Sequence, residues 1–292
     1  MSQLKHQAHQ SQAFTLRHPT DSARVIRGRV DAPTDADEAR QYPHVIVVHG
    51  FKGFMNWGFF PELGARLAAA GHAGVFFNTS SSGIGEDLEN FTEVEAFERS
   101  TYSKDLEDLK RVRAEVRAGA FAGVDPDRAG ILGHSRGGGE ALIHAAEAGD
   151  LACVVTWAAI PAASRFDAQT IARWREEGFL EIANARTGQV FRIRLDGLED
   201  YEANVARFDI FAAASRMEAP TLLVHGAEDE AVEFEALDLL ATARGEGVTT
   251  LRVEGTGHTF GIRHPMTETG PAFEEVWSRT RAFLDEHLGT TA

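Results

Sequence analysis

The chain is nearly devoid of cysteine: Cys153 is the only one in 292 residues. A single thiol permits no intramolecular disulfide and no cysteine-built metal cage. It lies in the apolar run Leu151-Ala152-Cys153-Val154-Val155, which suits a buried, inert side chain. Positive charge is also scarce. Against 44 acidic residues stand 29 basic ones, for a formal net charge of -15. General nucleic-acid binding needs a basic footprint and is disfavoured; the acidity serves solubility. No apolar run is long enough to span a membrane, and the first ten residues contain no apolar signal core. These absences predict a cytoplasmic protein without membrane insertion. Internal repeats and low-complexity linkers are missing too. Asp196 and Asp209 stand in no metal-ligand spacing, and Gly83-Ile84-Gly85 lacks the rest of a dinucleotide fingerprint. No metal, nucleotide or flavin cofactor is expected.

What is present is a 43% hydrophobic fraction, enough to bury the core of one large domain. Residues 1–12 are polar and read as a flexible tail, and residues 13–292 as a single domain. Strand candidates cover 13–17 and 23–30, followed by an acidic loop at 32–41 that contains Pro33. From residue 44 the pattern changes. Val45-Ile46-Val47-Val48 is a continuous β-branched run, as expected for a strand buried on both faces. Further buried strands are expected at 74–77, 129–132, 153–157, 221–224 and 249–253. Helices are expected at 61–70, 103–117, 138–148, 233–243 and 271–288. Strands alternating with helices predict an α/β fold with a mostly parallel sheet covered on both faces. Residues from about 161 to 218 break the rhythm, and an insertion of that length predicts a cap.

The most informative stretch is Gly133-His134-Ser135-Arg136-Gly137. It follows a predicted strand and precedes a predicted helix. In that context a G-x-S-x-G turn strains the serine backbone and pushes the hydroxyl out of the sheet, next to a helix N-terminus. A serine hydroxyl needs a base to take its proton. Among twelve histidines, His258 lies in Gly255-Thr256-Gly257-His258, a loop after the last predicted strand, where parallel sheets place their chemistry. His264 is the reserve candidate. His134 should point the other way on the turn, His144 is within a helix, and His6, His9 and His18 lie in the tail region. A carboxylate must hold the imidazole. Asp229, in His225-Gly226-Ala227-Glu228-Asp229-Glu230, follows a predicted strand, with Glu228 and Glu230 as adjacent alternatives. The chain order Ser135, Asp229, His258 matches that of α/β-hydrolases. Two backbone N–H donors would complete an oxyanion hole: that of Arg136 after the serine, and that of Phe51 in His49-Gly50-Phe51-Lys52-Gly53.

With these segments in place, the chain resembles the α/β-hydrolase superfamily from about residue 23 to 288. Its His-Gly-Phe-Lys-Gly, Gly-His-Ser-Arg-Gly, His-Gly-Ala-Glu-Asp and Gly-Thr-Gly-His segments are similar to those of bacterial cinnamoyl/feruloyl-type esterases. They are similar as well to dienelactone-hydrolase-like and serine-aminopeptidase-like hydrolases. The resemblance implies an α/β-hydrolase fold with Ser135 as nucleophile, His258 as base, Asp229 as acid, and Phe51 and Arg136 as oxyanion donors. Dienelactone hydrolases proper use a cysteine nucleophile and dehalogenase relatives an aspartate, so Ser135 departs from both. The expected activity is cleavage of carboxylic esters, with a small-molecule ester as partner. A peptidase or amidase, an acyltransferase, and a non-catalytic binding protein are the alternatives. The aromatic run from Phe51 to Phe60 offers candidates for an acyl pocket, against ordinary packing under the loop. Arg173, Arg175, Arg192 and Arg194 offer anion partners, against a solvated face. Acyl and alcohol identity and oligomeric state are not legible.

Overall fold

The computed structural model describes residues 9–34, 39–164, 166–184 and 187–289. Strands β1 (His9–Arg17) and β2 (Val25–Pro33) precede β3 (Tyr42–Val48). Then come α1 (Phe60–Ala69), β4 (Ala73–Asn78), the short α2 (Val94–Glu98), α3 (Tyr102–Arg117), β5 (Val124–His134), α4 (Arg136–Ala148) and β6 (Cys153–Trp157). The segment after β6 holds α5 (Ala168–Glu177), β7 (Phe179–Ala183), β8 (Val190–Arg194), α6 (Leu195–Ala203) and α7 (Ile210–Arg216). Strand β9 (Thr221–Gly226), α8 (Glu235–Arg244), β10 (Val248–Val253) and α9 (Pro271–Leu288) close the chain.

Among the described residues the main sheet has eight strands in the order β1-β2-β4-β3-β5-β6-β9-β10. Its strands from β4 to β10 run parallel, while β2 runs antiparallel to both β1 and β4. The β-branched run of β3 shows why two-sided burial needs no polar alternation. Ile46 and Val48 enter one hydrophobic cluster with α3, α4, α7 and α8; Val45 and Val47 enter the other with α1 and α9. The strand order reverses between β3 and β5, because β3 is followed on one side by β4 and on the other by β5. A crevice opens outside the carboxyl ends of strands at such a reversal. The loops carrying Phe51 and Ser135 leave the sheet there.

Three expectations need correction. The polar residues 9–12, read as part of a tail, belong to β1, and His9 to Gln12 pair with Pro33 to Val30; residues 1–8 lie outside the described residues. Pro33 ends β2 instead of lying in a loop; a strand end tolerates the missing N–H. The segment at about 161–218 is not one unit. Helix α7 joins the main helical layer through Ile210 and Ala213. Trp174, Leu180, Phe191, Ile193 and Leu198 instead pack with Phe54, Ile84, Phe91 and Phe97 in a separate cluster above the β3 loop.

Candidate active site

Ser135 joins β5 to α4 with φ 57° and ψ -120°, a conformation that costs a non-glycine residue about 1–3 kcal/mol. The surroundings enforce it. Its N–H donates to Trp157 O at 2.9 Å, and its carbonyl accepts from Gly138 at 3.0 Å and Ile160 at 3.2 Å. The flanking glycines are steric requirements. A Cβ at 133 would lie 2.1 Å from Gly137 O, and one at 137 would lie 2.4 Å from Val48 O. A serine that starts a helix ordinarily spends its hydroxyl capping the first turn. Here the positive φ turns the side chain away and no capping bond forms. The Arg136 N–H begins α4 directly beside it.

Asp229, the carboxylate favoured from the sequence, is buried, while the adjacent alternatives Glu228 and Glu230 are exposed. Asp229 Oδ1 accepts the N–H groups of Ala231 at 2.8 Å and Val232 at 2.9 Å. Oδ2 lies 2.8 Å from His258 Nδ1. Burial alone would push this carboxyl up. Hydrogen bonds from His225 and His258 outweigh it and hold Asp229 well below the usual carboxylate range, and so ionised. The loops that carry Asp229 and His258 are also tied by backbone: Glu228 N–H donates to Thr256 O at 2.9 Å.

Two histidines missed as site residues support this pair. His225, at the end of β9, places Nε2 3.2 Å from Asp229 Oδ2 and 2.9 Å from Val232 O. Its spacing of four residues before Asp229 was the available signal. His134 sits inside the turn, as expected, but is not idle there. Its Nε2–H donates to His258 O at 3.0 Å, and the two rings lie 4.7 Å apart. Burial first, and then His258, push the His134 imidazole down to about 3, so it stays neutral and donates from Nε2. The residue before Ser135 thus holds the backbone of His258. Among the described residues no hydrogen bond joins the Ser135 hydroxyl to His258.

The β3 loop faces the elbow. A Cβ at Gly50 would lie 2.9 Å from Ser135 Cβ and 3.5 Å from its Oγ, so only glycine lets the loop approach this closely. Gly53 N–H closes a turn onto Gly50 O at 2.9 Å, with Lys52 at φ 58°. The backbone of Phe51 lies within this turn. Of the aromatics that follow, Phe54, Phe59 and Phe60 are fully buried packing residues, whereas Phe51 is 36% exposed. His264 accepts Gly58 N–H at 3.0 Å and packs edge-on to Phe54, so its ring serves this loop and not Asp229. The four arginines proposed as anion partners pair with glutamates: Arg173 with Glu177, Arg175 with Glu202, Arg192 with Glu181 and Arg194 with Glu95. They form a solvated charged face. Burial pushes the Cys153 thiol up to about 12, which leaves it unreactive. Among the described residues no group of three or more His, Cys, Asp or Glu side chains could hold a metal ion, and no helix is long and apolar enough to cross a membrane.

A doubly covered parallel sheet with a strained serine turn at its reversal point and an acid–histidine pair on later loops defines an α/β-hydrolase. Residues 45–272 match the alpha/beta hydrolase family, and the chain belongs to it. A protein of Bacillus subtilis (strain 168), the uncharacterized peptidase YuxL, is 25% identical over 287 residues. The match covers 94% of this chain but only 39% of that protein. Among solved structures, Est1E from Butyrivibrio proteoclasticus is similar with a TM-score of 0.66 and 18% identity, over 95% of this chain and 99% of that one. A puromycin hydrolase is similar with a TM-score of 0.67 and 18% identity, over 97% of this chain and 40% of that one. At these identities the structural likeness concerns the fold.

Proposed function

We propose that the protein is a serine hydrolase that cleaves carboxylic esters of small molecules through an acyl-enzyme. The observation that carries this reading is the pairing of buried Asp229 with half-buried His258, tied by the His134 hydrogen bond to the turn that bears Ser135. Asp229 holds His258 with Nδ1 protonated, which leaves Nε2 as the base. Ser135 Oγ attacks the ester carbonyl as its proton passes to Nε2; a nucleophile–base contact of this kind tightens when substrate arrives. The developing oxyanion is met by the N–H groups of Phe51 and Arg136, at the positive end of α4. His258 returns the proton to the leaving alcohol, the ester C–O bond breaks, and the acyl group stays on Ser135. Water activated by the same imidazole then attacks the acyl-enzyme and releases the acid. The α5–α6 part of the insertion is read as a cap over the β3 loop, since Lys52 Nζ donates to Ala183 O at 2.9 Å, and Phe97 of α2, on which Phe51 stacks at 5.3 Å, packs in turn against Phe191 of β8 at 4.7 Å.

A second reading, amide or peptide cleavage by the same groups, is favoured by the names of the peptidase YuxL and the puromycin hydrolase. The similarity to Est1E and to an esterase domain from Rhodothermus marinus favours esters. One set of experiments decides. A fluorophosphonate probe should label Ser135 in folded protein, and Ser135→Ala should abolish both labelling and turnover while the thermal melt stays nearly unchanged. p-Nitrophenyl esters should turn over faster than matched p-nitroanilides; the reverse order would favour the amidase. Absence of labelling would overturn the hydrolase reading altogether.

A further inference from the structure

The side chain of Arg136 makes contacts that no step above uses. Its Nη2 donates to Asp105 Oδ2 at 2.5 Å, and its Nε donates to Glu140 Oε1 at 2.8 Å, one turn along α4. The guanidinium lies 3.9 Å from the centre of the Tyr102 ring and 5.6 Å from that of Phe51. Asp105 is itself anchored by the Ser81 hydroxyl at 2.5 Å, and Tyr102 by its bond to Ala163 O at 2.9 Å. The guanidinium is therefore gripped by α3 and α4, and its open face meets the β3 loop.

Around Phe51 that loop is tied by Gly53 N–H to Gly50 O, by Lys52 Nζ to Ala183 O and by the buried Phe54, and the Phe51 side chain is its exposed point. It carries glycines at 50 and 53 and a positive φ at Lys52. The Phe51 ring is 36% exposed, so burial holds it weakly, and it rests between Phe97 and the Arg136 guanidinium. We propose that the Arg136 side chain is a positioning residue for ester cleavage: clamped by Asp105 and Glu140, it supports Phe51 and so sets the β3-loop amide against the Ser135 elbow. This rests on the serine-hydrolase reading above.

The physical reason is the narrow tolerance of an oxyanion hole. Donors act at 2.7–3.1 Å from the developing oxygen, so a loop free to shift by part of an ångström loses transition-state stabilisation without losing substrate. Arginine suits the task because its planar fork reaches two acidic side chains, Asp105 and Glu140, while presenting a flat face to a ring. Lysine keeps the charge but has neither the fork nor the face. Burial works against the guanidinium charge more strongly than any one neighbour supports it, but Asp105 and the other groups around it together keep Arg136 protonated. A buried ion pair of this kind is weak support for stability, since well-packed apolar side chains often serve equally well. Its directional value is the larger effect.

The test compares wild type with Arg136→Lys, Arg136→Met, Phe51→Leu and Arg136→Met/Phe51→Leu. Turnover of a p-nitrophenyl ester is expressed per site titrated with fluorophosphonate, which removes any loss of folded protein. Both Arg136 single variants should lower kcat about 10- to 100-fold with KM within about threefold. Inhibition by a boronic acid, a tetrahedral mimic, should weaken by a similar factor. The double variant should be no more than about twofold worse than Arg136→Met, because both changes release the same loop. A purely structural role would lower the melting temperature and the number of titratable sites but not turnover per site. Wild-type turnover per site in Arg136→Met, or additive effects in the double variant, would overturn the inference while leaving the hydrolase reading intact. If the Arg136 variants do not fold, Phe51→Leu and Phe51→Ala carry the test: reduced kcat supports the inference, and unchanged kcat in both overturns it. No labelling of wild-type Ser135 would instead remove the reading on which it rests.

Discussion

Replacing Glu140 with Gln probes the charge state beneath the serine turn. Glu140 is only 3% exposed. Burial, reinforced by the Asp105 carboxylate, pushes its carboxyl from the ordinary 4.5 up to about 8. The groups around it are Arg136 on its own helix, Asp105 on α3, and, across the same small pocket, His49 and Lys52 beyond β3 and Ser81 beyond β4. At neutral pH the folded protein holds this carboxyl protonated, whereas the unfolded chain ionises it. A proton bound only in the folded state makes stability fall as pH rises. The fall runs from about pH 4.5 to about pH 8, at about 1.4 kcal/mol per pH unit. Glutamine has the shape of the neutral acid, can accept the Arg136 Nε bond and does not titrate. The advantage of Glu140→Gln over wild type should be small near pH 5, reach roughly 3–4 kcal/mol near pH 7.5, and level off above about pH 8. Urea unfolding followed by tryptophan fluorescence across that range reads the difference directly. Parallel pH dependence in the two proteins would refute the reasoning, for Glu140 would then be ionised in the folded state.

Asp229→Asn should lower kcat by roughly 10²–10⁴ with native circular dichroism, because an amide no longer enforces the Nδ1–H form of His258; ester kinetics check it. Gly50→Ala places a methyl 2.9 Å from Ser135 Cβ and 3.2 Å from His134 O, which forces the β3 loop outward. Its kcat should fall at least about tenfold with little change in melting temperature, and wild-type kinetics would count against the close approach. Burial pushes the imidazoles of His44 and His144 down to about 4, and His134 is lower still. The unfolded chain therefore takes up protons that the folded protein refuses. The stability these groups contribute is complete above about pH 6.5 and is lost as pH falls toward 4. Urea midpoints should drop steeply over that interval, opposite in sign to the Glu140 effect.

Much of the architecture was legible because its signals are local. The run Val45–Val48, buried from both faces, must be a strand wherever the rest of the chain goes, and β6 and α9 were read at their observed boundaries. The G-x-S-x-G turn was equally plain, since its two glycines answer to steric conflicts within a few residues and with β3. Residues 9–12 were not legible. Their polar side chains carry no strand pattern, and they become one only by pairing with residues 30–33. Helix α7 likewise looked like part of an insertion, and only its packing on the sheet layer assigns it elsewhere.

The order of motifs along the chain determined by itself the family, the serine turn and the short set of acids and histidines that could accompany it. Tertiary structure alone decided which of three adjacent carboxylates is buried against His258, that His225 and His134 brace the pair, and that the Arg136 side chain is locked between α3 and α4. Motifs and periodicity act over a few residues, and the chain displays them directly. Burial of a charge, and the partner that makes burial tolerable, depend on segments tens to more than a hundred residues away, whose arrival no local pattern encodes.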